Sequence, residues 1–260
     1  MRDWQELTGR TLVLVAHADD ESVGYGALLQ RMREAIVVIA TSGVPRDAYF
    51  WQRFGSREAY QSVRREEARR AMGAAGVREL VLLADEEPRL EDQRLFLNLG
   101  VAYERLAELA GRLRPEAIAT LAYEGGHPDH DSCSVLGSRL GIELKIPVWE
   151  APLYHRGLED GTGGGAERPI TVQRFIRKTG DETRLEITAA ELERKGLMCA
   201  QYASQGDFLR VFDAACEWMR PQARYEYGAP PHEGSTNYER WRWWMSAQEV
   251  CEQFRNFLGV

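Results

Sequence analysis

The chain has 260 residues, 44% hydrophobic and 28% charged, the balance of an ordinary soluble globular protein. That length suits one large domain or one domain with an insertion. The net charge of −7 speaks against a nucleic-acid or anionic-membrane surface, either of which favours a clustered basic face.

No apolar stretch approaches the ~20 residues of a membrane span, and the charged opening "MRDWQELTGR" does not read as a signal peptide. Cys133, Cys199, Cys216 and Cys251 form no CxxC pair, so reduced thiols in a cytoplasm are expected. Cys133 follows a histidine by three residues but reads as a small buried residue rather than a ligand.

Taken in chain order, the first half alternates. Residues 11–16, 35–41, 79–84 and 117–123 are short, nearly continuous apolar runs, as expected of strands buried on both faces of a parallel sheet. Helical patterns lie between them at 23–33, 57–75 and 92–113; the second ends near Gly76 and the third before Pro115. A fifth strand is expected at 147–154. This rhythm predicts a Rossmann-like α/β fold, a mainly parallel sheet flanked by helices.

Beyond it, 157–169 carries five glycines and reads as a loop. Residues 170–178 and 183–190 alternate around "TGDE" and predict an antiparallel β-hairpin. A helical extension is expected at 190–202, near 207–219, and from 237 to the end. The chain is thus read as a single domain, with a core over 1–155 and the loop, hairpin and C-terminal helices over 156–260.

Ligands of an open parallel sheet bind at the carboxyl ends of its strands. The run "LVLVAHADDES" (12–22) places His17, Asp19 and Asp20 just past the first strand, and "YEGGHPDHDS" (123–132) places His127, Asp129 and His130 just past the fourth. If those strands are neighbours, three of the five histidines share one crevice. Taken singly, residues 19–21 read as a helix cap and "HPDHD" as a polar turn. Together, a His-x-x-Asp pair and a distant histidine supply two imidazoles and a carboxylate, a set typical of a catalytic zinc with one open position.

"AHADDE" and "GHPDHD" resemble the two signature motifs of the PIG-L, or LmbE-like, metal-dependent N-deacetylases. The first usually reads His-Pro-Asp-Asp-Glu; Ala18 replaces the proline, which contributes no ligand. "RREEARRAMGAAGV" (64–77) is similar to the family's Arg-x-x-Glu helix, and "ELERKGLMCAQYASQ" (191–205) resembles its Lys followed by Tyr-x-Ser-Gln.

The resemblance implies that His17, Asp20 and His130 bind Zn2+, with Fe2+ or another divalent ion as an alternative. It implies Asp19 as general base and His127 facing the developing oxyanion or the leaving amine. Asp129 would orient His127. Where some members carry a tyrosine before the second motif this chain has Gly125, and Tyr123 is the nearest replacement, with strand packing as its plain role.

Arg64 is a candidate for gripping substrate, with a helix salt bridge to Glu67 as the plainer reading. Trp241 and Trp244, three apart, read as core packing on a helix, and Trp243 as exposed. The implied function is zinc-dependent removal of an N-acetyl group from an N-acetylglucosamine-like amino sugar or its conjugate. An amidase for a larger acyl group and a non-catalytic ligand-binding module are the rivals. The expected partner is a small-molecule substrate, with no nucleic acid and no membrane span; a homo-oligomer stays open.

Overall fold

A computed structural model describes residues 3–157 and 170–259. Nearly all of the loop expected at 157–169 lies outside the described residues.

Five parallel strands form one side of the sheet: β1 (Arg10–Val15), β2 (Glu34–Ile39), β3 (Glu79–Leu82), β4 (Ala117–Leu121) and β5 (Val148–Ala151). Leu12 to Ala16, Val37, Val38 and Ala117 to Ala119 have no exposed surface, which is why these segments are apolar at every position instead of alternating. The sheet order is β3-β2-β1-β4-β5-β9-β8, with β8 at Thr183–Arg184 and β9 at Trp218–Pro221. β1 and β4 are therefore neighbours, in register Thr11↔Ala117 to Val13↔Ala119, and the two histidine motifs emerge side by side.

Helix α1 (Asp20–Tyr25) is short, and α2 (Arg57–Ala75) has the predicted bounds. The Ser56 side chain accepts from Ala59 N, and Gly76 ends α2 in the left-handed region at φ 79°. A single turn, α3 (Leu83–Glu86), follows β3. Helix α4 (Leu99–Leu113) begins seven residues later than expected. The backbone amides of Gln93 and Leu95 are taken by the Asp129 carboxylate at 2.6 and 3.0 Å, so 92–98 is drawn off as a loop that holds only a 3-10 turn at Leu95–Leu97. Helix α5 (Pro128–Leu144) opens with Pro128 at its first position and His127 as its cap.

The second half pairs differently from the sequence reading. β6 (Tyr154–His155) pairs with β7 (Thr171–Val172), and β8 (Thr183–Arg184) pairs with β9 (Trp218–Pro221), all antiparallel. The runs at 170–178 and 183–190 thus hydrogen-bond to other partners instead of to each other. Helix α6 (Ala189–Ala200) has a capping box from Thr188 and Glu191. The helix expected near 207–219 is only the turn α7 (Gly206–Leu209). The Gln173 side chain captures Asp213 N, Asp213 O and Cys216 O, and β9 adds to β5 through Trp149↔Pro221.

The tail is two helices, α8 (Asn237–Arg240) and α9 (Ala247–Leu258). Arg242 adopts φ 57°, while its amide reaches Glu239 O and that of Trp243 reaches Tyr238 O. This Schellman-type ending takes Trp241 to Trp244 out of the helix. Among the described residues no helix is long and apolar enough to cross a membrane.

Candidate metal centre and active site

The turn after β1 separates two adjacent acids. Asp19 has φ 136° and ψ −31°, a conformation costing a non-glycine residue about 1–3 kcal/mol. It is held there because Asp19 N donates to Glu21 Oε2 at 3.0 Å, while Ser22 Oγ and Tyr202 OH each donate to Glu21 Oε1 at 2.6 Å. The sharp turn sends the Asp19 carboxylate toward Arg64 Nη2, 3.5 Å away. The Asp20 carboxylate accepts from His17 N at 2.8 Å and faces both motif histidines.

Around Asp20 the donor atoms lie close together. His17 Nδ1 lies 3.4 Å from Asp20 Oδ2, His130 Nε2 lies 3.3 Å from Asp20 Oδ1, and the two imidazole nitrogens are 3.3 Å apart. A tetrahedral ion with donors about 2.0–2.1 Å away requires donor separations of about 3.3 Å; the two imidazole nitrogens meet that spacing, and each faces a different oxygen of Asp20. His17 Nε2, on the far side of its ring, is 3.3 Å from Asp129 Oδ2, the carboxylate support common behind metal-binding histidines. Two other groupings are compact, with one donor from each residue within 4.8 Å of the others: His17, His127 and His130, and His17, Asp92, His127 and Asp129.

Asp129 is fully buried. Its carboxylate sits 3.9 Å from His127 Nδ1 but nearer His17, and its backbone amide is what donates to His127 Nδ1, at 3.1 Å. That contact leaves the proton of a neutral His127 on Nε2, which faces Asp92 Oδ1 at 3.4 Å.

Charge in the crevice is poorly balanced by side chains alone. Burial pushes the Asp19 carboxyl up, against the pull of Arg64 and with the help of Asp20, to about 7. Burial also works against ionisation of Asp20 and Asp92, yet the neighbouring imidazoles hold both below the usual carboxylate range. His130 is lowered, chiefly by burial.

Arg64 is 3% exposed, lines the crevice, and leaves Nε and Nη1 without a partner among the described residues. It does not pair with Glu67, which instead accepts from Ser204 N and Oγ at 2.8 and 2.6 Å. Gly43 (φ 61°) makes room for the guanidinium, since a Cβ there would lie 3.1 Å from Arg64 Nε.

Sequence reasoning missed several wall residues. Asp92 was hidden inside an apparent helix; its position past the third strand of the same sheet was the available signal. Tyr154 packs edge-on against His130 at 5.2 Å, and Trp243 meets His127 edge-on at 4.9 Å. Trp244, read as core, is 52% exposed, whereas Trp241 and Trp243 are half-buried, packed against the core and lining the crevice.

Tyr123 does not reach the site; its hydroxyl donates to Ala229 O at 2.7 Å, and Tyr60 and Tyr154 are the tyrosines that line the crevice. Tyr202 and Ser204 act as buttresses, whereas Gln205 bonds Tyr60 OH at 2.6 Å and lines the crevice with it. Cys133 is buried, and His155 hydrogen-bonds Arg174 O away from the crevice.

Fold and crevice together define a Rossmann-like α/β protein with a buried His/Asp cluster, able to hold a metal ion, at the carboxyl edge of its sheet. The family model for PIG-L, GlcNAc-PI de-N-acetylase, matches residues 12–140, and the chain belongs to that family.

Among solved structures, a triple mutant of a deacetylase of the teicoplanin biosynthetic pathway is similar at 17% identity. It has a TM-score of 0.61, covering 84% of this chain and 99% of that one. The 4-carboxy-2-hydroxymuconate hydratase of Pseudomonas putida KT2440 aligns at 16% identity and TM-score 0.54, covering 84% and 96%. The N,N'-diacetylchitobiose deacetylase of Pyrococcus horikoshii aligns at 16% and 0.50, covering 80% and 78%. These likenesses are of fold, and the fold carries both hydrolysis and hydration. No curated protein matches the chain.

Proposed function

We propose that the chain is a metal-dependent N-deacetylase that removes an acetyl group from an N-acetylglucosamine-like amino sugar or its conjugate. The observation that carries the reading is the cluster of His17 Nδ1, His130 Nε2 and the two Asp20 carboxylate oxygens, in contact at 3.3–3.4 Å. Those three residues would hold the ion, with zinc favoured by the mixed imidazole–carboxylate set and Fe2+ as the alternative. When bound, a divalent ion there supplies Lewis acidity to the amide carbonyl and eases deprotonation of the attacking water.

The chain's own groups do the rest. Asp19, with its carboxyl at about 7, is the general base that takes the water proton. His127, with its Nε2–H directed into the crevice, donates to the oxyanion as it develops. The proton that reaches the departing amine comes from His127 or from protonated Asp19. The two unpartnered donors of Arg64 bind sugar hydroxyls, and Asp129 keeps His17 and His127 in orientation. Membership of a family described by de-N-acetylation and fold likeness to two amino-sugar or glycopeptide-pathway deacetylases support the reaction class. Four free cysteines suit a cytoplasmic setting.

The test is metal content of wild type and His130→Ala, purified side by side without added metal, together with acetate release from N-acetylated amino sugars. About one equivalent of zinc or iron in wild type, largely lost in the variant, is expected. A wild type that neither contains nor takes up a divalent ion would reduce the acidic turn to a helix cap and remove the hydrolase reading.

A further inference from the structure

His127 can donate to an oxyanion only if its ring is carried to one place, yet the chain leading into it cannot hold itself. Gly125 and Gly126 precede it, Gly125 at φ 68°, and glycine gives up more backbone freedom on folding than any other residue. A Cβ at Gly126 would collide with Tyr154 O. The turn therefore runs directly against the backbone of β6, with no side chain of its own to fasten it.

Two buried residues fasten it instead. Asp131, on α5, takes the amides: its Oδ1 accepts from Glu124 N at 3.1 Å and Gly125 N at 3.0 Å. Asn237, more than a hundred positions downstream, takes the carbonyls. Its backbone amide donates to Gly125 O at 2.8 Å, and its Nδ2 donates to Gly126 O at 3.2 Å. Arg156 Nε donates to Asn237 Oδ1 at 2.8 Å, which keeps the nitrogen of the carboxamide toward the turn. Asn237 has no exposed surface. Its side chain is not needed to open α8, because Thr236 and Glu239 already close that end in a capping box. A buried carboxamide bonded at both ends outside its own helix serves the segment it grips.

We propose that Asn237 is a positioning residue for the deacetylation, holding the turn at Gly125 and Gly126 so that His127 Nε2 faces the reacting carbonyl. The proposal rests on the deacetylase reading of the crevice. The contact from Asp129 N to His127 Nδ1 sets the rotation of the ring, and Asn237 sets where the ring is carried. His17 and Asp20 follow a different strand, and His130 lies inside α5, so the effect of Asn237 passes through His127 and spares the metal ligands.

The experiment measures kcat, KM and metal content in wild type, Asn237→Asp, His127→Ala and the double variant, with release of radiolabelled acetate from N-acetylated amino sugars as the assay. Aspartate keeps the size of the side chain and the bond from Arg156 but sets an oxygen against Gly126 O where a donor was. Asn237→Ala takes its place if the aspartate prevents folding. Asn237→Asp should lower kcat about 10- to 100-fold, with metal content unchanged and KM within about threefold of wild type. On the His127→Ala background the same replacement should change kcat less than about threefold, because the group it aims is gone. An equal fall on both backgrounds would show a general support of the fold and overturn the proposal, as would no fall on either. If wild type releases no acetate, the deacetylase reading fails by itself, and nitrogen-edited NMR of the imidazole rings, assigned with His127→Ala, decides the positioning. His127 signals shifted or broadened in Asn237→Asp support it, and unchanged signals overturn it.

Discussion

Lys195→Met probes what holds the catalytic turn. The Lys195 ammonium is fully buried, 2.7 Å from Glu217 Oε1 and 2.9 Å from Val23 O. The same carboxylate accepts from Ala27 N at 2.6 Å and Leu28 N at 3.1 Å. One ion pair thus joins α6 and the residue before β9 to α1, the helix that opens with Asp20. Methionine keeps the apolar stem but strands a buried carboxylate and a buried carbonyl, and losing one partner of a buried pair costs about 3–5 kcal/mol. Burial already pushes the Glu217 carboxyl up, with Lys195 the main opposing influence, so losing Lys195 moves it further toward the neutral form and the loss lies at the lower end. Lys195→Met/Glu217→Gln removes the stranded charge and should recover to within about 1–2 kcal/mol of wild type. Urea unfolding at pH 7 reads all three proteins, and metal affinity should fall with stability in the single variant. A single variant within about 1 kcal/mol of wild type, or a double variant no better than the single, refutes the argument.

Three further outcomes are expected. Asp19→Asn should lower turnover roughly 10²- to 10⁴-fold while metal content stays at the wild-type level; loss of the metal would instead make Asp19 a ligand. Gly43→Ala forces a side chain to φ 61° against Arg64, costing about 1–2 kcal/mol and raising KM severalfold. An unchanged KM beside the stability loss would show that Arg64 does not meet the substrate. Burial lowers His155 to about 4, against a backbone contact to Arg174 that opposes it. The fold therefore favours the neutral ring, its stabilising contribution is complete above about pH 6.5, and it is lost as pH falls toward 4. Wild type should lose about 2 kcal/mol more than His155→Gln between pH 7 and pH 5; equal losses in urea titrations would contradict this.

What could be read from the sequence followed what the local chain decides. Strands β1, β2 and β4 carry consecutive apolar residues because helices or neighbouring layers cover both faces, and α2 carries its own stop at Gly76. The histidine motifs stood out because they fall where a parallel sheet binds ligands. The misreadings are places where a distant group overrides local preference. Asp129 takes two amides from 93–95 and converts an apparent helical turn into the loop bearing Asp92. Arg242 turns left-handed after α8, so the three-residue spacing of Trp241 and Trp244 never becomes a helix face. Strands of two residues, such as β7 and β8, offer too short a pattern to name their partners.

The strained turn at Asp19 bears on the order in which this protein matures. Both histidine motifs lie within residues 12–140, yet Glu21, which fixes the turn, is gripped by Tyr202 from 181 positions downstream, and α1 is anchored by Lys195 and Glu217. A nascent chain that has emerged only as far as α5 holds every proposed ligand but lacks the groups that set their geometry. The crevice is therefore finished by groups from the last third of the polypeptide, and an N-terminal fragment carries the motifs without the groups that set the turn.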